Sequence, residues 1–172
     1  SCHNKSPLEA FCSMAYVGSS IGVVLAHDWI TFLCFWELEA VTSTFLIWND
    51  PRPGSKNAGI RYILIHTLSG NCVLFGVILK LVAGDLLVHN LTSGPHDLAF
   101  WLILLGFSIN AAAVPLHGWL VDGYPAATLT GSVFMSSCTT KVAVYALLRV
   151  FGGTELLIGV GVLMALYGAT FA

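Results

Sequence analysis

The sequence predicts an all-α membrane protein, a polytopic bundle of transmembrane helices. Of its 172 residues, 56% are hydrophobic and only 9% are charged, whereas about 25% of an ordinary soluble domain is charged. The apolar residues form long continuous blocks that do not alternate with period two, which favours helices over a transmembrane barrel. The chain has too few charged residues to cover the surface of a soluble domain. We therefore interpret residues 1–172 as a single transmembrane domain.

Six apolar blocks are each long enough, or nearly so, to cross a hydrocarbon layer of about 30 Å as a helix of roughly 20 residues. We predict helices over residues 8–26, 29–48, 59–84, 98–120, 126–150 and 156–172. The chain starts without methionine or a signal-type segment and stops inside its last apolar block. We therefore expect it to be a part of a longer protein.

The connecting segments predict the orientation. The connection 49–61 carries three basic residues, whereas the connection 84–97 carries two aspartates and no Lys or Arg. By the positive-inside rule the first faces the cytoplasm and the second faces out. The alternation of spans then places Lys5 and a turn expected at 121–125 inside, and the turn 27–28 outside.

The fourth predicted helix is expected to be broken near residues 110–118. Pro115 and Pro125 lie close together with two glycines between them, and a proline inside a helix removes one backbone hydrogen bond and clashes with the preceding turn. Broken helices at membrane depth occur where protein or a water-filled cavity satisfies the freed backbone groups, as in transporters. The alternative is that residues 115–125 form a simple loop that leaves the membrane.

Two glutamates, Glu37 and Glu39, lie in the middle of the second apolar block. Burying a charge at the bilayer centre costs at least about 2.5–3.5 kcal/mol, so such residues are candidates for a functional site. Two positions along a helix separate them by about 200°, so they cannot share one cavity. For Glu37 we favour a functional role; for Glu39 we favour a structural hydrogen bond between helices, with Thr42 and Ser43 as potential partners of its carboxyl group.

Four further ionisable residues lie in apolar blocks. Lys141 is too far from either end of its helix to reach water easily, and a lysine held away from water can release and regain a proton. Lys80 lies near the end of its block, where extension of the amino group to the interface is the favoured interpretation. His66 and His117 are suited to proton relay near neutral pH, but a structural hydrogen bond for His66 and a loop or capping role for His117 explain them equally well.

Three segments carry a family resemblance: CFWELEAVTSTFLIW, FSINAAAVPLHGWLVDGYPAA and SCTTKVAVYALLRVF. Their order and spacing over residues 29–151 resemble the antiporter-like membrane subunits shared by respiratory complex I (NADH:quinone oxidoreductase), Mrp-type Na+/H+ antiporters and membrane-bound hydrogenases. The resemblance implies that Glu37 is the glutamate of the family's fifth helix and that Lys141 is the proton-relay lysine of its eighth. It also implies that the chain covers helices four to eight, one five-helix inverted-repeat unit with a broken helix, and the start of the ninth.

Two positions depart from the family pattern. The family usually has a lysine shortly before V-P-L-H, and the matching residue here is Asn110, which can orient water but cannot take up a proton. Glu37 must then be paired elsewhere, with Lys141 as one option, or be neutral for much of the time. Glu39 stands where relatives more often have an apolar residue.

From the residues and the resemblance together we predict a proton-translocating or cation/proton antiport subunit of a multisubunit respiratory-type complex. Protons would move through water between Glu37, Lys141, and His66 or His117, with Asn110 positioning a water. The alternative is a non-conducting structural subunit of the same kind of complex, marked by the loss of the lysine at Asn110; a small-solute permease is a weaker third interpretation.

The expected partners are other membrane subunits and the lipid bilayer, with protons as the transported ion and sodium as the alternative. No spacing of residues indicates a metal or organic cofactor or a redox site, and no basic run indicates nucleic-acid binding. Any enzymatic redox chemistry would belong to partner subunits. The expected location is the bacterial inner membrane, with the mitochondrial inner membrane as the alternative.

Overall fold

Seven α-helices and no β-strand make up the part of the chain described by the structure, a computed structural model that covers the backbone of residues 7–171 and the side chains of residues 7–170. The fold class predicted from the sequence is therefore confirmed. Lys5 and Ala172 lie outside the described residues. The helices are α1 (Pro7–Leu25), α2 (Trp29–Trp48), α3 (Ser55–Val82), α4 (Leu98–Asn110), α5 (Gly118–Ala126), α6 (Leu129–Phe151) and α7 (Glu155–Phe171).

The helices expose many large apolar side chains and bury several polar ones, which is unlike a soluble domain. In α1, Phe11, Met14 and Leu25 are 70–76% exposed, whereas Ser19 and Ser20 are buried. Four helices, α1, α2, α3 and α6, are long and apolar enough to cross a membrane. The shorter α4 and α5 are the two parts of the predicted broken helix, and α7 is a shorter apolar helix of 17 residues.

A Schellman motif ends α4 at the break. Ala112 adopts the left-handed conformation with φ of 56°, the amide of Ala113 donates to the Ser108 carbonyl at 3.0 Å, and the amide of Ala112 donates to the Ile109 carbonyl at 3.1 Å. These two bonds satisfy carbonyls that the end of a helix leaves free. The chain then resumes as a helix at Gly118.

The turn that we expected at 121–125 is helical. Because α5 begins only at Gly118 and ends at Ala126, Pro125 lies in its last turn, where the missing amide hydrogen bond interrupts little of the helix. Arg52 supports this end, since its Nη2 donates to the carbonyls of Pro125 at 2.9 Å and Ala127 at 2.7 Å. Helix α6 accordingly starts at Leu129, whereas the sequence predicted a helix that starts at residue 126.

Hydrogen bonds between the connections show which of them share an end of the bundle. Glu9 near the start of α1 accepts from Asn49 after α2 (3.3 Å) and from Thr128 before α6 (2.8 Å). At the opposite end, the Val88 amide donates to the His27 carbonyl at 2.9 Å. This arrangement follows the alternation of spans on which the predicted orientation is based.

Lys80 lies near the end of α3 and reaches a residue of the connection 84–97. Only 10% of its side chain is exposed, and its Nζ lies 3.4 Å from Asp97 Oδ2. Asp97 caps α4 by accepting from the Phe100 amide at 2.9 Å. The pKa of the Asp97 carboxyl group is lowered from its usual value. The main cause is the hydrogen bond from the Phe100 amide, and the positive charge of Lys80 adds to it. The lysine is therefore covered by protein while its ammonium group pairs with an aspartate at the end of the bundle.

The buried apolar side chains form two clusters at different depths. One is built around Trp29, Phe32, Trp36 and Phe107. The other is built around Tyr16, Leu46, Ile47, Tyr62 and Trp119. A layer of buried polar residues lies between them, and it forms the candidate site.

Candidate functional site

A small cavity in the bundle, which we call the inner cavity, has a volume of about 10 Å³. This is the lower limit for a single water molecule. Trp36 on its wall belongs to the first apolar cluster and Tyr62 to the second, so the cavity lies between the two. Its lining residues are Trp36, Glu39, Ala40, Ser43, Tyr62, His66, Asn110 and Thr139.

Glu39 is the acidic residue of the inner cavity. It is only 6% exposed, and its Oε1 lies 3.0 Å from Ser20 Oγ on α1. The bond between helices that the sequence favoured for this residue is therefore present. Thr42 and Ser43 are not partners of the carboxyl group as expected, because both hydroxyls donate to backbone carbonyls of their own helix; Ser43 Oγ, for example, lies 2.7 Å from the Glu39 carbonyl.

Two tyrosine hydroxyls extend the polar layer across the bundle. Tyr16 Oη on α1 lies 2.5 Å from Thr139 Oγ1 on α6. Tyr62 Oη on α3 donates to Ser43 Oγ on α2 at 3.0 Å. These bonds join four helices at the depth of Glu39 and satisfy hydroxyl groups that would be costly to bury alone.

His66 is held by aromatic contacts from two helices. Its ring stacks on Tyr62 with centroids 4.1 Å apart and meets the edge of Trp119 on α5 at 4.6 Å. Trp119 in turn donates from Nε1 to the Ile109 carbonyl at 2.9 Å. The same indole thus positions His66 and satisfies a carbonyl in the last turn of α4.

Asn110 is the last residue of α4 and is 6% exposed. Its side chain reaches the inner cavity because α4 stops there. Among the described residues, Asn110 Oδ1, His66 Nε2 and Trp36 Nε1 are buried without a hydrogen-bond partner. All three residues line the inner cavity, which therefore has unused donors and acceptors on its wall.

A second cavity of about 460 Å³, which we call the outer cavity, is a groove between the helix break, α6 and α7 that is open to the bundle surface, and Lys141 is exposed in it, not buried as we expected. Lys141 and His117 both line it, so the structure brings these two predicted residues together. His117 Nε2 lies 2.9 Å from Tyr167 Oη on α7, and the Lys141 ammonium donates to the Ser136 carbonyl. His117 precedes α5 but makes no capping hydrogen bond with its side chain.

Glu37 lies apart from both cavities, on the exposed surface between α2 and α3. Its carboxyl group packs directly against Gly70, where a Cβ atom would overlap it. Within the described part of the chain Glu37 forms no ion pair and does not meet Lys141. The Glu37–Lys141 pairing that we considered is therefore absent from the described residues, since Glu37 packs against Gly70 on α3 and Lys141 lines the outer cavity.

The inner and outer cavities lie back to back. Asn110 and Thr139 line the inner cavity, and their chain neighbours Ala111 and Thr140 line the outer one. The end of α4 and α6 therefore both contribute to the wall between Glu39 and His66 on one side and Lys141 and His117 on the other.

Glu9 is a buried carboxylate that the sequence analysis missed. It is 8% exposed and joins α1 to the ends of the neighbouring helices through Asn49 and Thr128. Glu9 is the second residue of its apolar block, a position at which the sequence gives no sign that a carboxylate is buried. Its contacts with the caps of other helices indicate a structural role.

The chain matches known proteins over most of its length. Residues 26–171 match the family described as NADH:quinone oxidoreductase/Mrp antiporter, TM. The chain is 32% identical over 153 residues to NADH-quinone oxidoreductase subunit M of Escherichia coli, covering 79% of this chain and 30% of that protein. It is 30% identical over 155 residues to NAD(P)H-quinone oxidoreductase chain 4 1 of Synechococcus elongatus, covering 84% and 29%.

A solved structure shares the fold. A chain of the Mrp complex from Dietzia sp. superposes with a TM-score of 0.73 at 28% identity, covering 80% of this chain and 28% of that one. The chain thus spans less than a third of the length of these relatives. Because the family match covers far more than half of it, this chain belongs to the NADH:quinone oxidoreductase/Mrp antiporter transmembrane family.

Proposed function

We propose that this chain forms part of the proton pathway of a multisubunit membrane complex, of the kind to which NADH:quinone oxidoreductases and Mrp antiporters belong. The observation that carries the proposal is the back-to-back placement of the two cavities. Each contains a histidine and at least one further ionisable residue, within a bundle whose surface is apolar. Placing an ionisable residue at membrane depth costs free energy, and such residues are retained mainly for function.

The residues have distinct roles in this proposal. His66 and Asn110 form the inner part of the pathway, and His117 and Lys141 form the outer part, on the other side of the wall made by α4 and α6. Water would connect them, with Asn110 orienting a water and not itself titrating. Glu37, exposed beside Gly70, would exchange protons with a neighbouring helix or subunit that covers this surface.

The relatives support a proposal for the partners and the location. We propose that the complete protein works with other membrane subunits in a bacterial inner membrane, with protons as the transported ion and sodium as the alternative. Redox chemistry, where the complex has any, would be carried out by other subunits.

A non-conducting structural subunit is the competing proposal. It is favoured by Asn110, because an amide occupies the position at which the family resemblance predicts a lysine. Glu37 is exposed on the surface of the described residues, which also fits a subunit whose proton pathway has lost its entry or exit.

Replacing Lys141 with methionine distinguishes the two proposals. In vesicles containing the full-length protein in its complex, we expect Lys141→Met to reduce proton flux about a hundredfold, the lower part of the range that a proton-transferring side chain contributes. Flux is measured with a pH-sensitive dye, and assembly is checked on a native gel. Lys56→Met, in the exposed first turn of α3, is the control and should keep the wild-type flux. Unchanged flux in an assembled Lys141→Met complex would favour the structural subunit.

A further inference from the structure

The unpartnered atoms around the inner cavity match the hydrogen-bonding capacity of one water molecule. Trp36 Nε1 is a donor, Asn110 Oδ1 is an acceptor, and His66 Nε2 accepts in one tautomer and donates in the other. A buried water typically makes about three hydrogen bonds. Because the three residues and Glu39 line the same cavity, we infer that a water there bonds to these atoms and lies beside Glu39.

Ser20 provides Glu39 with a partner in both protonation states. Its Oγ lies 3.0 Å from Glu39 Oε1 and 3.0 Å from the Tyr16 carbonyl. When Glu39 is ionised, the hydroxyl of Ser20 donates to the carboxylate. When Glu39 is protonated, its O–H donates to Ser20 Oγ, and Ser20 donates instead to the Tyr16 carbonyl. Gain or loss of the proton therefore leaves neither side chain without a partner.

We propose that Glu39 is an exchangeable proton-binding site and that it passes its proton through a water in the inner cavity to His66. This inference rests on the proposed function and assigns its interior step. In this step the O–H bond of the Glu39 carboxyl group breaks, one proton moves through the water, and an N–H bond forms at His66 Nε2. The neutral pair becomes a carboxylate and an imidazolium, so the net charge of the cavity does not change.

Charge balance explains why this pair functions without a nearby lysine. Single charges are strongly disfavoured away from water, and within the described residues no Lys, Arg, Asp or second Glu lines the inner cavity. The other titratable side chains within electrostatic reach of Glu39 are Tyr16 on α1, Tyr62 on α3 and Tyr124 on α5, and tyrosines are neutral at physiological pH. The neutral pair is thus the resting state, and the ion pair exists only during transfer.

Infrared difference spectroscopy of the full-length protein in its complex tests the proposal. The wild-type protein should show the C=O band of a protonated carboxylic acid that shifts in D2O. Glu39→Gln should remove this band and reduce proton flux about a hundredfold. Glu155→Gln, which replaces an exposed glutamate in the first turn of α7, should change neither. His66→Phe should keep the band but lose the flux, because the carboxyl group retains its proton and the acceptor is gone.

Ser20→Ala tests the same site without removing the acid. Loss of the Ser20 hydroxyl should move the Glu39 band to higher frequency, since the carboxyl group loses a hydrogen bond. A band that persists in Glu39→Gln, or that Ser20→Ala does not move, would overturn the assignment. So would wild-type flux in an assembled Glu39→Gln complex, which would leave the proposed function standing. A wild-type complex that shows the exchanging Glu39 band but no flux would instead support the site and refute the proposed function.

Discussion

Replacing Gly106 with alanine is expected to prevent α3 and α4 from packing and to remove most of the assembled protein. A Cβ atom at this position would lie 2.5 Å from Val73 Cγ2 and 2.8 Å from the Ser69 carbonyl oxygen. Real contacts of this kind are far longer, and the Ser69 oxygen belongs to helix backbone that cannot move aside on its own. The Ser69 hydroxyl also donates to the Gly106 carbonyl at 2.7 Å, so any separation of the helices would break this bond too.

The expected loss of stability is about 3 kcal/mol, the upper part of the range measured for overpacked cores. It is checked by the yield of assembled complex and by the temperature at which the solubilised protein aggregates. Gly18→Ala is the matched control, because Gly18 lies in a helix but has open space around its missing Cβ. Alanine there should be neutral or stabilise α1 by up to about 1 kcal/mol. If the two variants had the same yield and the same aggregation temperature, α3 and α4 would not approach each other as closely as the structure shows.

Introducing a lysine at Asn110 is expected to be tolerated only while Glu39 is present. Asn110 and Glu39 line the same small cavity and are both about 6% exposed. An ammonium group placed there needs a carboxylate partner, and Glu39 is the acid in reach. Asn110→Lys alone should therefore assemble, with the new ammonium group paired to an ionised Glu39.

The double variant Asn110→Lys with Glu39→Gln should lose about 3–5 kcal/mol relative to Asn110→Lys, the range observed when one partner of a buried ion pair is removed. Comparison with Glu39→Gln alone completes a double-mutant cycle for stability. Additive effects of the two substitutions would show that the side chains do not share a cavity. The infrared band of the protonated Glu39 should also disappear in Asn110→Lys, because the carboxyl group is then ionised.

The helical fold class could be predicted from the sequence because a helix that crosses a bilayer requires a long block of apolar residues, whatever its neighbours are. The family resemblance was equally accessible, since it rests on ordered motifs around Glu37, Asn110 and Lys141. The break after α4 was visible in its prolines and glycines. The point at which the helix resumes, Gly118, was not, because it depends on the Schellman motif at Ala112 and on a bond from Trp119 to the Ile109 carbonyl.

The position of side chains around each helix was much harder to predict. Helical geometry required Glu37 and Glu39 to point in different directions, but only the neighbouring helices decide which of them is buried. Ser20 on α1 and His66 on α3 place Glu39 inside. The partner of Lys80 was hidden for a similar reason, since Asp97 lies 17 residues further along the chain and the two meet only in the folded bundle.

The central claim is that a water-linked polar layer crosses the apolar bundle at the depth of Glu39. The most direct test is a density map of the full-length protein in its complex at a resolution that shows ordered water. We predict one water within hydrogen-bonding distance of both His66 Nε2 and Asn110 Oδ1, beside the Glu39 carboxyl group. A cavity that is closed by direct protein contacts, with His66 and Asn110 bonded to other side chains and no water between them, would contradict the account.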